Sequence, residues 1–195
     1  MLPQQMVASI ILASGSPRRR ELLSIMGVSY ETIVLDTDEI CSGEPNEQVC
    51  ILAERKAAAV AGMHGDRFVL AADTLVAKDD RILGKPESIE EAVDMLMLLS
   101  GGWHEVYTGV CLWDVAGGRK RVEYDMTQVR FSAFCEASAR AYAATGEPMD
   151  KAGAYAIQGR GGMFVEEIRG SASNVIGLPM ALVRKMLLEF GICII

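Results

Sequence analysis

The period of the apolar positions changes several times along the chain, and each change marks an element. Ile10–Ala13 is an unbroken apolar run of strand length that stops at a turn of small residues, Ser14, Gly15 and Ser16. Runs of this kind read as buried strands. Ser16 is a good N-cap and Pro17 suits the first helical position, where its missing N–H leaves no bond unmade. A helix is therefore predicted from Pro17 to a stop at Gly27. Tyr30–Leu35 reads as a second strand. Pro45 and Asn46 open a helix through Ala61, with Val49, Leu52, Ala53 and Ala57 on its apolar side and Lys56 near that side's edge. Phe68–Ala72 is a third strand, ending in Asp73 and Thr74.

Asp79 and Asp80 read as a two-residue hairpin turn. Residues equidistant from it then face each other, which sets Thr74 opposite Lys85 and brings Asp73 within reach of Lys85. Ser88 and Glu91 form a capping box for a helix to Leu99, with Ala92, Met95, Leu96 and Leu99 as its buried stripe. Val106–Val115 and Lys120–Phe134 are strands on either side of a second hairpin signal, Ala116-Gly117-Gly118-Arg119. Alternation fails at Gln128 and Val129, where a bulge is expected. Cys135–Ala144 reads as a helix. The texture then changes sharply: in Met149–Gly162, four glycines and several alanines surround Asp150, Lys151, Gln158 and Arg160. Ordering such a loop costs entropy, which is tolerated where backbone must approach something closely; otherwise it is an ordinary flexible loop. Phe164–Ile168 is a strand and Gly170–Gly177 a polar turn. Pro179 begins the last helix, with Val183, Met186, Leu187 and Phe190 along one face.

Strands alternating with helices, interrupted by two hairpins, exclude a fully parallel doubly wound sheet. The expected fold is mixed α/β: a twisted sheet flanked by helices, one domain over residues 1–195 with two lobes around a central cleft. Half of the 195 residues are apolar, as in a globular chain. A net charge of -7 gives little support for a nucleic-acid polymer or an anionic membrane as partner. The first apolar run is too short for a membrane span or signal peptide and lacks a basic segment before it. Five cysteines without C-x-x-C spacing read as reduced, mostly buried thiols of a cytoplasmic protein. Neither His64 nor His104 has a partner at ligand spacing, so zinc and histidine-dependent nucleophilic chemistry find no support. His104 reads as a structural hydrogen-bonding residue.

The first helix opens on Arg18, Arg19 and Arg20. Cations sit badly at a helix N-terminus, so an anion is expected to offset them. Small residues leading into a helix make a phosphate-sized site, and the competing reading is a solvated basic turn. The loop matches neither G-x-x-x-x-G-K-[ST] nor G-x-G-x-x-G. Arg18, Lys56 and Lys85 suit phosphate oxygens. Asp38, Glu39 and Asp73 facing a polyphosphate make sense with Mg²⁺ or Mn²⁺ between them. Asp73, ending an apolar strand, is the candidate general base, and Thr74 and Gln158 carry neutral groups able to read a base edge. The residues thus point to metal-assisted attack of water on a phosphoric anhydride. A nucleotide-binding regulator with little hydrolysis would use many of the same features.

Leu12-Ala13-Ser14-Gly15-Ser16-Pro17-Arg18-Arg19, Leu52-Ala53 with Lys56-Ala57, Ala72-Asp73-Thr74, Gly84-Lys85-Pro86, Leu99-Ser100-Gly101, Thr108-Gly109, Asp150-Lys151-Ala152-Gly153-Ala154-Tyr155, Ile157-Gln158-Gly159 and Val175-Ile176-Gly177-Leu178-Pro179 together resemble the Maf family, in that family's order. The resemblance implies a fold similar to the inosine triphosphate pyrophosphatases. It also implies a divalent-metal-dependent nucleoside triphosphate pyrophosphatase, cytoplasmic and commonly a homodimer, linked to removal of modified nucleotides and in some members to inhibition of septum formation. Arg18, Thr74 and Gln158 agree with the branch acting on dTTP, UTP and modified pyrimidine relatives. A pyrophosphatase for modified purine nucleotides is the enzymatic alternative. By the same resemblance Asp73 is the proton acceptor and, with Asp38 and Glu39, lies near the metal. Arg18, Lys56 and Lys85 correspond to phosphate-binding positions, and the turn from Ser14 to Arg18 is expected to carry the triphosphate. One departure is Ala172, where many relatives carry tyrosine.

Overall fold

In the computed structural model, which describes residues 10–65 and 67–194, Ile10–Leu12 form strand β1 with all three residues buried. Ser9 and the preceding segment, from which the absence of a leader was read, lie outside the described residues. β1 runs parallel to both of its neighbours, β2 (Tyr30–Thr32) and β3 (Phe68–Lys78), with Ile10 opposite Tyr30 and Phe68. A central strand of a parallel set has two covered faces, which is why its sequence does not alternate. β2 is shorter than Tyr30–Leu35 because β1 offers a partner only three residues long; Val34 and Leu35 are exposed.

β4 (Arg81–Leu83) folds back on β3 in the expected register, Lys78 against Arg81 and Val76 against Leu83, with Asp79 at a φ of 53° in the turn. The ladder ends there, before it reaches Thr74 and Lys85. β5 (Trp103–Asp114), β6 (Arg119–Phe131) and β7 (Val165–Arg169) complete a seven-stranded mixed sheet in the order β2-β1-β3-β5-β6-β7, with β4 on β3. β7 is antiparallel to β6, and the irregularity falls between Arg130 and Phe131 instead of at Gln128–Val129. Alternation persists through Gln128 because Thr127 points inward with the apolar set. Its buried hydroxyl accepts from Ser171 N at 3.0 Å and from Asn174 Nδ2 at 3.0 Å. That anchoring also turns the expected polar turn into a short helix, Ala172–Ile176, which Ala172 opens as an exposed residue.

The helices are α1 (Pro17–Ile25), α2 (Pro45–Ala61), α3 (Ile89–Leu99), α4 (Glu136–Ala143), α5 (Ala172–Ile176) and α6 (Met180–Glu189). Their starts follow the sequence signals: Ser16 and Ser88 accept from the amides of Arg19 and Glu91, at 3.4 Å and 3.1 Å. Two compact units divide the chain. The first holds the described residues up to Asp73 with 108–125 and those from 177 onward, and its core includes Ile11, Ala53, Ala57, Val69 and Cys111. The second holds 74–107 and 126–176, and its core includes Leu96, Leu99, Phe131, Tyr155 and Phe164. All five cysteines are free thiols as expected, but only Cys111 is buried; Cys135 and Cys193 are exposed.

His104 lies in the second core, 2% exposed, with Nε2 at 2.9 Å from the Tyr155 hydroxyl and its ring edge-on to Phe131 at 4.9 Å. Burial, reinforced by the Lys78 charge, pushes its pKa down to about 3. The unfolded chain's histidine takes a proton near pH 6.5, whereas the folded one stays neutral. Stability from this group is therefore complete above pH 6.5 and lost as pH falls toward 3, at about 1.4 kcal/mol per pH unit within that window. Urea denaturation at pH 7.5 and 5 checks it: the stability difference between wild type and His104→Gln should shrink at the lower pH. Parallel curves would contradict the assignment.

Candidate active site

The first unit brings together the end of β1, the first half of β3, the start of α1 and the edge of α2. Ser14 follows β1 and is 5% exposed; its Oγ accepts from Ser16 N at 3.3 Å and from Arg19 Nη1 at 3.1 Å. Arg19 also donates from Nε to the Gly177 carbonyl at 2.8 Å. Burial lowers the Arg19 pKa, Asp73 works against that shift, Arg18 adds to it and Glu39 opposes it. A guanidinium stays charged under such a shift, so the protein's own carboxylates partly offset the arginine run at this helix start. Ser14 shapes the turn as an acceptor and keeps its O–H as a donor.

α2 sits close against β5 because residue 109 is glycine: a Cβ there would collide with the Val49 carbonyl oxygen. That seating buries Val49, Leu52, Ala53 and Ala57 and leaves Lys56 at the rim with 18% of its side chain exposed. The Lys56 ammonium pairs with Asp73 Oδ1 and, at 2.9 Å, with Glu39 Oε1. Asp73 is 8% exposed within β3, which does not stop at Ala72 as expected but runs on to Lys78, where β4 gives it a partner; Glu39 comes from the exposed segment between β2 and α2. One cation thus holds two carboxylates from distant parts of the chain. Asp38 turns elsewhere: its Oδ1 accepts from Ile40 N at 2.8 Å and its Oδ2 lies 4.0 Å from Arg55 Nη1. Arg55 also donates to the Ile40 carbonyl at 2.7 Å, fastening this segment to α2.

Among the described residues no three His, Cys, Asp or Glu side chains form a metal-ligand group. Glu39 and Asp73 nevertheless bracket a cation already, in the form of the Lys56 ammonium. An all-oxygen, anionic donor pair fits a hard divalent ion such as Mg²⁺ or Mn²⁺.

In the second unit, Thr74 is half-buried on β3 while Lys85 and Gln158 are exposed. The Gly84 carbonyl, one residue before Lys85, accepts from Gly153 N at 3.0 Å. Gly153 has a φ of 68°, and a Cβ there would press on the Val76 side chain at 2.8 Å. The glycine-rich segment is therefore built from pinned short turns, Ala152–Ala154 and Arg160–Phe164 among them. Two residues carried no assigned role in the sequence: Arg19, which ties the first unit's turn to the Gly177 carbonyl, and Glu147, which accepts from the Arg160 and Gly161 amides in the second. Both act through backbone partners remote in sequence, which no local pattern announces. The three-arginine run was the available signal for the first.

A mixed α/β chain with paired carboxylates, a bridging lysine and an arginine-bearing turn is built to handle anionic substrates. Residues 9–190 match the family described as Maf-like protein, and the chain belongs to the Maf family. It is 48% identical over 184 residues to the dTTP/UTP pyrophosphatase of Pelotomaculum thermopropionicum, covering 93% of this chain and 96% of that one. It is 47% identical over 185 residues to the dTTP/UTP pyrophosphatase of Bacillus cereus strain AH820, covering 94% and 96%. Among solved structures, the Staphylococcus aureus Ham1 protein aligns with 63% of this chain and 71% of its own at 14% identity and a TM-score of 0.47.

Arg19→Met removes the side-chain donors to Ser14 Oγ and the Gly177 carbonyl while keeping much of the side chain's bulk. Chemical denaturation should show a loss of about 1–3 kcal/mol, the cost of leaving such acceptors unmatched. An unchanged midpoint would mean that Arg19 does not tie these segments together.

Proposed function

We propose that this chain hydrolyses nucleoside triphosphates, dTTP and UTP foremost and modified pyrimidine nucleotides with them, releasing pyrophosphate and the nucleoside monophosphate. The observation that carries this reading is the Lys56 ammonium shared by Asp73 and Glu39 beside the Ser14–Arg19 turn. The printed activity of the similar proteins supports the choice of substrate.

The triphosphate lies along the Ser14–Arg18 turn, which offers the Ser14 hydroxyl and the fork of Arg18. Lys56 has three donors and gives two to carboxylates, which leaves capacity for a phosphate oxygen. Lys85 serves as a further phosphate-binding cation. Asp73 accepts a proton from water as the water oxygen bonds to the α-phosphorus. The bond from that phosphorus to the α–β bridging oxygen breaks, and the oxygen leaves on pyrophosphate. Glu39 and Asp73 are the residues that would hold a divalent ion, with Asp38 in the same acidic segment. When bound, that ion supplies charge neutralisation at the phosphate oxygens. Thr74 and Gln158, with Arg18, select the pyrimidine base. The enzyme is read as cytoplasmic and able to pair as a homodimer; among the described residues no helix is long and apolar enough to cross a membrane.

Purified protein assayed with a nucleotide panel, Mg²⁺ or Mn²⁺ and an EDTA control should give metal-dependent pyrophosphate with UMP or dTMP, purines being poor. Orthophosphate with a diphosphate would overturn the bond assignment. Asp73→Asn should lower kcat by roughly 10²–10⁴-fold while nucleotide binding persists, the range typical of losing a general base. Near-normal turnover by that variant would remove Asp73 from this role.

A further inference from the structure

Gln158 sits at an exposed bend of the glycine-rich segment, yet the backbone on both sides of it is held by one pair of side chains. Glu147 Oε1 accepts from the Tyr142 hydroxyl at 2.8 Å and from Gly161 N at 3.1 Å, and its Oε2 accepts from Arg160 N at 3.1 Å. The same Tyr142 hydroxyl accepts from Ala156 N at 3.1 Å. The tether thus grips residue 156 before Gln158 and residues 160 and 161 after it. The Gly159 amide closes the bend onto the Ala156 carbonyl at 3.2 Å.

The fit is close as well as hydrogen-bonded. A Cβ at Gly159 would run into the Glu147 carboxylate, and one at Gly161 would meet the Tyr142 hydroxyl at 2.6 Å. Glu147 is itself held, its carbonyl accepting from Lys151 Nζ at 2.8 Å and its amide donating to Thr145 Oγ1 at 3.2 Å. Tyr142 is 4% exposed at the end of α4, and burial pushes its phenol pKa up, so the hydroxyl keeps the proton it donates. A carboxylate that accepts two loop amides, and the hydroxyl that holds a third, specifies the bend more narrowly than turn propensity does.

We propose that Glu147, acting with Tyr142, is a positioning residue for base selection: it fixes the backbone from Ala156 to Gly161 and so aims the Gln158 amide. The inference rests on the reading of Gln158 as a base-selecting residue. A carboxylate that contacts the loop and Tyr142 then governs which nucleotide is preferred. Replacing it with glutamine keeps its size but puts an amide nitrogen, a donor, where an N–H or O–H must be accepted. The bend loosens and the preference falls.

The test is steady-state kinetics with UTP and GTP on wild type, Glu147→Gln, Gln158→Ala and the double variant. Gln158→Ala should lower the UTP-to-GTP ratio of kcat/KM by about tenfold, the worth of one ordinary hydrogen bond. Glu147→Gln should lower it comparably, chiefly by raising KM for UTP, and should add nothing in the Gln158→Ala background. Glu147→Asp should recover part of the ratio. An unchanged ratio in Glu147→Gln, with Gln158→Ala impaired, overturns the positioning role alone. Additive effects in the double variant also overturn it. An unchanged ratio in Gln158→Ala overturns the base-selecting reading and this inference with it. Should Glu147→Gln fail to fold, Tyr142→Phe removes only the hydroxyl linking Glu147 to Ala156. It should lower the ratio in the same direction, and an unchanged ratio there overturns the proposal.

Discussion

Two carboxylates drawn to one place repel each other unless a cation lies between them, and in this chain Lys56 is that cation. Its ammonium joins Asp73, nearly buried within β3, to Glu39, mostly exposed on an irregular segment. Taking such a pair out of water with its cation is tolerable, whereas removing the cation leaves a partly buried charge uncompensated. The surrounding structure serves that arrangement. The apolar residues of β3 hold Asp73 at a defined depth, and the absence of a Cβ at Gly109 lets α2 approach β5. Arg55, one residue before Lys56, ties the segment carrying Glu39 to the same helix.

The arginine-rich start of α1 completes this electrostatic plan. A helix N-terminus disfavours cations, yet Arg19 is folded back onto the Ser14 hydroxyl and the Gly177 carbonyl within the field of Asp73 and Glu39. The protein thereby shapes an anion-receptive turn with charges already partly balanced. In the proposed mechanism a polyphosphate completes the balance by meeting the arginines, and the carboxylates serve a hard cation and water.

Much of the fold was legible in local patterns. The unbroken Ile10–Leu12 run, the serine caps at Ser16 and Ser88 and the hairpin at Asp79–Asp80 each have a short-range cause, and each appears where that cause puts it. Lys56 was legible at the edge of its helix from periodicity, whereas Asp73, expected just past a strand end, lies within β3, because the pairing with β4 carries that strand on to Lys78. The segment from Gly170 and the bulge in β6 were misplaced for one reason. Thr127 is a polar residue that belongs to the buried face, and its partners Ser171 and Asn174 lie far away in sequence. Asp38 looked equivalent to its neighbour Glu39, but its local bond to the Ile40 amide and its nearness to Arg55 turn it away from Lys56. Glu147 escaped notice for the same long-range reason.

In the proposed mechanism this carboxylate–lysine arrangement directs water at the α-phosphorus. Single-turnover hydrolysis of UTP in ¹⁸O-enriched water, followed by mass spectrometry of both products, addresses it most directly. The account predicts one ¹⁸O atom in the phosphate of UMP and none in pyrophosphate. Label in pyrophosphate would place the attack on the β-phosphorus and contradict the account.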